Sequence, residues 1–193
     1  MPFRTEAGGE VSVDLMSMPE PEVPYAWRDG YAAVDLPYSG QAFGMVVMLP
    51  HEGTSARDLL ASLDATELAD LEGALNESPL AELRLPRFKL SYGTRLDPAL
   101  EAMGMGVAFD PVEANFDGMS PDPRLYIHEV RQKTFIEVDE AGTRAAAATS
   151  VGVGLESAPP AFVVDRPFLF VLRERLTGAI LFAGLVGDPS AEG

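Results

Sequence analysis

The chain has 193 residues, enough for one sizeable core or two small ones, and 47% of them are hydrophobic, a composition that folds rather than stays disordered. Its 30 Asp+Glu against 14 Lys+Arg give a formal charge of -16, which repels phosphate backbones and anionic bilayers and so argues against nucleic acid or a membrane surface as partner. Cysteine is absent, which excludes disulfides, a thiol nucleophile and thiolate metal sites.

Met1–Glu10 has no apolar core of the signal-peptide kind, and the run from Ala42 to Leu49 is too short to cross a bilayer. Val11–Met18 alternates apolar and polar residues, predicting a strand with one wet face, and a proline-rich link follows at Pro19–Pro24. Tyr31–Leu36 and Phe43–Leu49 predict paired strands about Ser39-Gly40; the second is apolar on both faces and therefore central. Ser55 to Asn76 predicts two short helices. Ser55 with Asp58, and Asp64 with Glu67, have the cap-then-acid spacing of a helix start. Leu59, Leu60 and Leu63 mark one apolar face, and Leu68, Leu71 and Leu75 another.

Leu83–Tyr92 alternates again and predicts a strand, with Pro86 marking an edge or bulge. A short helix is expected over Pro98–Met103, closed by Gly104. Leu125–Val138 is the next strand. Phe162–Arg173 and Ala179–Val186 form the last pair, turning at Leu176-Thr-Gly178. There is no internal repeat. Many strands with a few segregated helices give an α+β, mainly β class.

Turnover chemistry finds little material. His51 lacks a second histidine at i+4, and His128 stands alone, so the sequence implies no metal site and no cofactor; both histidines read as surface or packing residues. No Gly-x-Ser-x-Gly elbow and no phosphate-cradling glycine run is present, and Gly104-Met-Gly106 is a fragment of one. The acidic residues read as a solvated face, and Met16, Met18, Met45, Met48, Met103, Met105 and Met119 as core filler. The chain reads as something other than an enzyme.

The segment GTRAAAATSVGVGLESAPP, Gly142 to Pro160, is of another kind. In an extended chain Thr143, Ala145, Ala147, Thr149, Val151, Val153 and Leu155 share one side, increasingly apolar along the segment. Arg144, Ala146, Ala148, Ser150, Gly152, Gly154 and Glu156 share the other, which is small, polar or charged. Alanine and glycine are weak strand formers, and Pro159-Pro160 blocks a ladder at the exit. Taken alone, the pattern fits equally a flexible linker or a segment that is a loop in one state and a strand in another. The strand-like flanks, and the short chain after Pro160, favour the second.

Glu140-Ala-Gly-Thr-Arg-Ala-Ala-Ala-Ala-Thr149 resembles the hinge of the serpin reactive-centre loop, and Phe162-Val-Val-Asp-Arg-Pro-Phe-Leu-Phe-Val171 the family's signature beyond it. Leu85-Pro-Arg-Phe-Lys-Leu90, Met103-Gly-Met105 with Phe109, Ala114-Asn-Phe-Asp-Gly-Met119 and Val130-Arg-Gln-Lys-Thr-Phe-Ile-Glu-Val138 match in the family's order. The resemblance covers the C-terminal half of a serpin. It implies one partial serpin domain over residues 1–193, a multi-sheet fold lacking the N-terminal helices and part of the large sheet. The reactive-centre loop would run over 139–160, with its hinge at 140–149.

By this resemblance the hinge residues are Glu140, Gly142, Thr143, Ala145, Ala146, Ala147, Ala148 and Thr149. Counting from Glu140, and back from Pro167, places the reactive bond at Glu156-Ser157, with Leu155 as the alternative. The implied partner is a serine protease: glutamate-selective for Glu156, elastase-, chymotrypsin- or subtilisin-like for Leu155. Glu140 is expected to pair with Arg87 at the loop's entry, and Gln132 to sit where the sheet opens. Arg144 departs from the family's usual glutamate, on the wet side of the alternation. The implied function is inhibition by suicide-substrate loop insertion in a full-length parent, the isolated chain being inactive. The alternatives are a non-inhibitory serpin-like binding protein, or a truncated fragment that is only cleaved. An open sheet edge would invite self-association. Family members are often secreted, which suggests an extracellular or periplasmic setting that no residue here shows.

Overall fold

Tyr31-Ala-Ala-Val-Asp-Leu and Gly44-Met-Val-Val-Met-Leu are apolar enough to be covered on both sides, and the structure covers them. In the computed structural model, which describes residues 1–120, 125–139 and 158–191, β5 (Tyr31–Pro37) and β6 (Phe43–Pro50) form an antiparallel pair with Tyr31 opposite Pro50 and Pro37 opposite Gly44. They are the middle of a six-stranded sheet completed by β4 (Glu22–Arg28), β7 (Asn76–Pro79), β12 (Phe168–Glu174) and β13 (Ile180–Val186). The order is β13-β12-β6-β5-β4-β7, antiparallel throughout.

One face of this sheet carries α1 (Ala56–Ser62) and α2 (Ala65–Ala74). Both helix starts are as predicted. The Ser55 hydroxyl accepts the Arg57 N–H at 3.1 Å, and the Asp64 carboxylate accepts those of Thr66 and Glu67 at 2.8 Å each. Leu59 and Leu71 are buried with Ala33, Val46, Met48, Leu169 and Val171, while Leu60, one helical step round from Leu59, is exposed rather than on the apolar face. The other face meets a three-stranded sheet, order β11-β8-β3, of β3 (Leu15–Pro19), β8 (Glu82–Pro86) and β11 (Ala161–Val163). Tyr25 meets Phe162 edge-on, and Phe88 packs on Phe168 and Phe170 at 5.6 and 5.5 Å between ring centres. A short hairpin, β1 (Pro2–Arg4) with β2 (Glu10–Ser12), precedes these sheets in the chain.

The chain divides into two compact units, Met1–Phe88 with Glu137–Ala191, and Lys89–Ile136. In the second, β9 (Phe88–Arg95) pairs with β10 (Arg131–Val138) as a two-stranded sheet. Between them come α3 (Asp97–Leu100), a π-helical turn over Glu101–Met105 and α4 (Gly106–Phe109). The predicted helix is therefore present and breaks at Gly104 as expected: its φ of 99° is non-helical, and the short helix α4 follows beyond the kink.

Four strand expectations need correction. Val11–Met18 is two strands in different sheets, and Leu83–Tyr92 likewise breaks into β8 and β9. Both breaks meet: the Arg87 N–H donates to the Asp14 carbonyl at 3.0 Å. Phe162–Arg173 splits at Val164–Pro167 into β11 and β12, and only Arg131–Val138 of the expected Leu125–Val138 strand is extended and paired. The Pro19–Pro24 link runs into β4, which takes in Pro24. Pro24 is tolerated because Glu22–Pro24 pair with β7 alone, so a missing N–H breaks no second ladder. Met16, Met45 and Met48 are buried, but Met103, Met105 and Met119 are exposed and fill no core.

Candidate functional site: the anchors of residues 139–160

The sequence places the candidate segment between two strands, and the structure places those strands in different sheets. β10 ends at Val138, which is buried, and β10 pairs with β9. β11 begins at Ala161 and runs parallel to β8, with Ala161 opposite Glu82 and Val163 opposite Arg84.

The downstream anchor is well held. The Ala81 N–H donates to the Pro160 carbonyl and the Val164 N–H to the Arg84 carbonyl, both at 2.9 Å. Phe162 and Val164 are buried, and the Arg4 N–H reaches the Asp165 carbonyl at 2.8 Å. Arg166 donates from Nε to the Pro50 carbonyl at 2.9 Å and from Nη1 to Asp165 at 2.6 Å. Beyond it Phe168 and Phe170 are core residues, so the stretch from Phe162 to Val171 is a clamp of alternating ring burial and backbone bonds. The sequence did not reveal the β8 anchor, because parallel pairing with residues some eighty positions earlier leaves no local signal.

On the upstream side Gln132 is exposed on β10, its carbonyl 4.0 Å from where a Cβ on Gly93 would stand, beside β9. A side chain at Gly93 would also meet the Lys133 stem at 3.8 Å. Among the described residues β10 pairs with no strand other than β9, so one edge of it has no strand beside it there. Arg87 is exposed between β8 and β9. Its expected partner Glu140 lies outside the described residues, as do Gly142, Thr143, Ala145, Ala146, Ala147, Ala148, Thr149, Leu155, Glu156 and Ser157.

β10 is preceded by a polar support in the second unit. Asp97, at the start of α3, is nearly buried; its carboxylate accepts the Val130 N–H and takes the Arg95 guanidinium at 2.7 Å. These contacts, the Val130 N–H above all, hold the carboxyl below the usual aspartate range. The Leu96 N–H donates back to the Val130 carbonyl at 2.8 Å, fixing where β10 begins.

His51 is a half-buried packing residue and His128 lies on the surface. His51 stacks on Trp27 with ring centres 4.0 Å apart, Nε2 3.0 Å from the Arg28 carbonyl oxygen, and His128 meets Tyr126 edge-on. Among the described residues no three His, Asp or Glu side chains gather as a metal site would require.

A family model described as serpin (serine protease inhibitor) matches residues 1–189. The chain is 37% identical over 159 residues to glia-derived nexin of Mus musculus, covering 82% of this chain and 40% of that protein. It is 36% identical over 193 residues to plasminogen activator inhibitor 1 of Sus scrofa, covering 97% and 48%. Its fold is similar to the native-state crystal structure of Tengpin, a thermophilic serpin, with a TM-score of 0.76 and 30% identity over 97% of this chain and 49% of that one. The chain spans about half the length of the curated relatives it matches.

Proposed function

The chain belongs to the serpin family, and from that premise we propose that residues 139–160 are the reactive-centre loop of a suicide-substrate inhibitor of serine endopeptidases. The observation that carries this reading is the pair of anchors. Val138 is the last residue of β10 and Ala161 the first of β11, two strands that belong to different sheets, which supports reading the residues between them as a loop offered to a protease.

The chemistry follows from the residues. The protease serine Oγ attacks the Glu156 carbonyl; the Glu156-Ser157 amide breaks, the amine leaves on Ser157, and Glu156 is held as an ester. Release of that end frees Thr143 to Leu155 to extend beside β10, small and apolar residues on one side and wet ones on the other. An extended segment of this length reaches about 40 Å, enough to carry an attached enzyme far from where it bound. Insertion faster than ester hydrolysis traps the enzyme. Strand addition of serpin loops is a general example of this physics.

Insertion requires a strand on each side of the new one, and among the described residues β10 brings only β9. The chain of 193 residues alone is therefore cleaved without trapping its protease. Mixing it with a glutamate-selective and an elastase-like protease, and reading intact masses and denaturing gels, tests both halves of the reading. A single cut at Glu156-Ser157, or after Leu155, with no adduct is expected. Cuts elsewhere would sink the loop assignment, and a denaturant-stable adduct would sink the claim that one neighbouring strand is too few.

A further inference from the structure

The parallel pairing of β11 with β8 reaches upstream as far as Pro160, whose carbonyl accepts the Ala81 N–H at 2.9 Å. Beyond that bond the chemistry changes. Pro160 and Pro159 have no N–H, so two successive residues offer β8 no donor. The same residues are stiff. Each ring holds its own φ at about −65°, and each proline disfavours the helical region for the residue before it, which here means Ala158 and Pro159. Ala158–Pro160 is thereby confined to the extended, polyproline range, where three residues at about 3.1 Å each span about 9 Å. Ala158 and Pro160 are exposed and Pro159 is half-buried, so this span stands at the surface. Its base is braced from a second side. The Glu20 N–H donates to the Ala81 carbonyl at 3.2 Å and the Leu80 N–H to the Pro21 carbonyl at 2.9 Å. Glu20 makes that turn in the left-handed region, with φ of 49°.

We propose that Pro159-Pro160 is a stand-off strut, a positioning element that sets how far from the sheet the reactive bond is offered to its protease. The inference rests on the loop reading above, in which Glu156-Ser157 lies immediately before Ala158. An enzyme that cuts within a cleft closes around extended chain on both sides of the bond. A rigid span of about 9 Å leaves it room beside the sheet, and chain that is already extended loses less conformational freedom on binding than slack chain does. The strut also narrows the partner. Pro159 and Pro160 are the third and fourth residues past Glu156-Ser157, and an enzyme that holds substrate by accepting backbone N–H groups there finds none. The protease that fits is an endopeptidase whose backbone grip past the bond ends at the second residue, Ala158.

Pro159→Ala combined with Pro160→Ala loosens the span and leaves the Pro160 carbonyl position in place for Ala81. With a glutamate-selective protease, kcat/KM for the cut at Glu156-Ser157 in the folded chain should fall at least about tenfold, chiefly through KM, as expected when ordering is moved into the binding step. A free peptide of residues 150–164 carrying the same two changes should lose less than about threefold relative to its parent peptide. The peptide separates the strut from a preference of the protease's own subsites, which would act on chain and peptide alike. Thermal unfolding should be unchanged, and Pro159→Ala alone, the milder variant, should give a smaller fall in the same direction. Equal kcat/KM in the substituted and unsubstituted chains, or an equal fall in chain and peptide, overturns the strut and leaves the loop reading standing. Cuts outside residues 155–157 in the unsubstituted chain overturn the loop reading, and the strut with it.

Discussion

The two units of the chain spend their apolar residues differently. Every buried hydrophobic residue described lies in Met1–Phe88 or Glu137–Ala191, with Tyr31, Phe88, Phe168, Met45 and Met48 among the largest. Among the described residues of Lys89–Ile136 the one buried residue is Asp97, while Tyr92, Met103, Met105, Val107, Val112, Met119, Leu125, Tyr126 and Phe135 are all exposed. Residues 89–136 are also nearly neutral, seven acidic against five basic, in a chain otherwise strongly acidic. The difference separates shape from stability. The second unit has strands and a kinked helical run, yet a two-stranded sheet whose apolar side chains stay uncovered is marginal in water. Its apolar side chains are suited to being covered.

The largest consequence is a gradient of local opening. Amides of β5 and β6, at the centre of the six-stranded sheet, should exchange at least about a thousandfold more slowly than those of β9 and β10, a gap of about 4 kcal/mol within a range that runs from zero to the global stability. Residue-resolved hydrogen exchange reads this directly. Equal protection in the two regions would mean that Lys89–Ile136 finds cover in solution, and would erase the distinction.

How much of this was legible beforehand depended on whether the signal was local. β5 and β6 announced themselves through Gly44-Met-Val-Val-Met-Leu49 and the Ser39-Gly40 turn, and Ser55 and Asp64 marked both helix starts. The breaks at Asp14 and Arg87 were missed although each alternation slips phase beside them: Val11 and Val13 give way to Met16 and Met18, and Leu83 and Leu85 to Phe88, Leu90 and Tyr92. Pro24 concealed a strand because the rule against proline in a sheet assumes a ladder on both sides, and there only one exists. At the candidate site, the small-residue alternation and the strands flanking it were readable. That its two ends are anchored in different sheets was not, since this rests on Ala81 and Arg84 holding Pro160 and Val164.

Substitution sharpens the contrast at a single residue type. Phe168 is fully buried against Phe88, and Phe168→Ala should cost about 3–5 kcal/mol through lost transfer and cavity terms, on the order of 10 °C in midpoint for a domain of this size. Phe135, on β10, is exposed, and Phe135→Ala should change the same midpoint by no more than about 0.5 kcal/mol equivalent. Thermal unfolding followed by circular dichroism compares them. A comparable loss in both would show that Phe135 is packed in solution and that the second unit has a core after all.

The smallest effect tests what holds the second unit in the absence of a core. Asp97 is kept ionised by the Val130 N–H first and by Arg95 next, so its carboxyl binds a proton less readily folded than unfolded. The sign follows. Its contribution to stability is fully present above the unfolded value of about 3.9 and is lost as the pH falls through the lower, folded value. The Asp97 carboxyl carbon should titrate below about 3.9 in the intact protein, with the Val130 amide proton shifting in step. In Asp97→Asn that amide shift should vanish and exchange at Val130 should quicken on the order of tenfold, as expected for loss of a bond to a charged acceptor. A normal midpoint for Asp97 would show instead that the junction of α3 with β10 is open in solution, leaving β10 without its polar support as well as without a core.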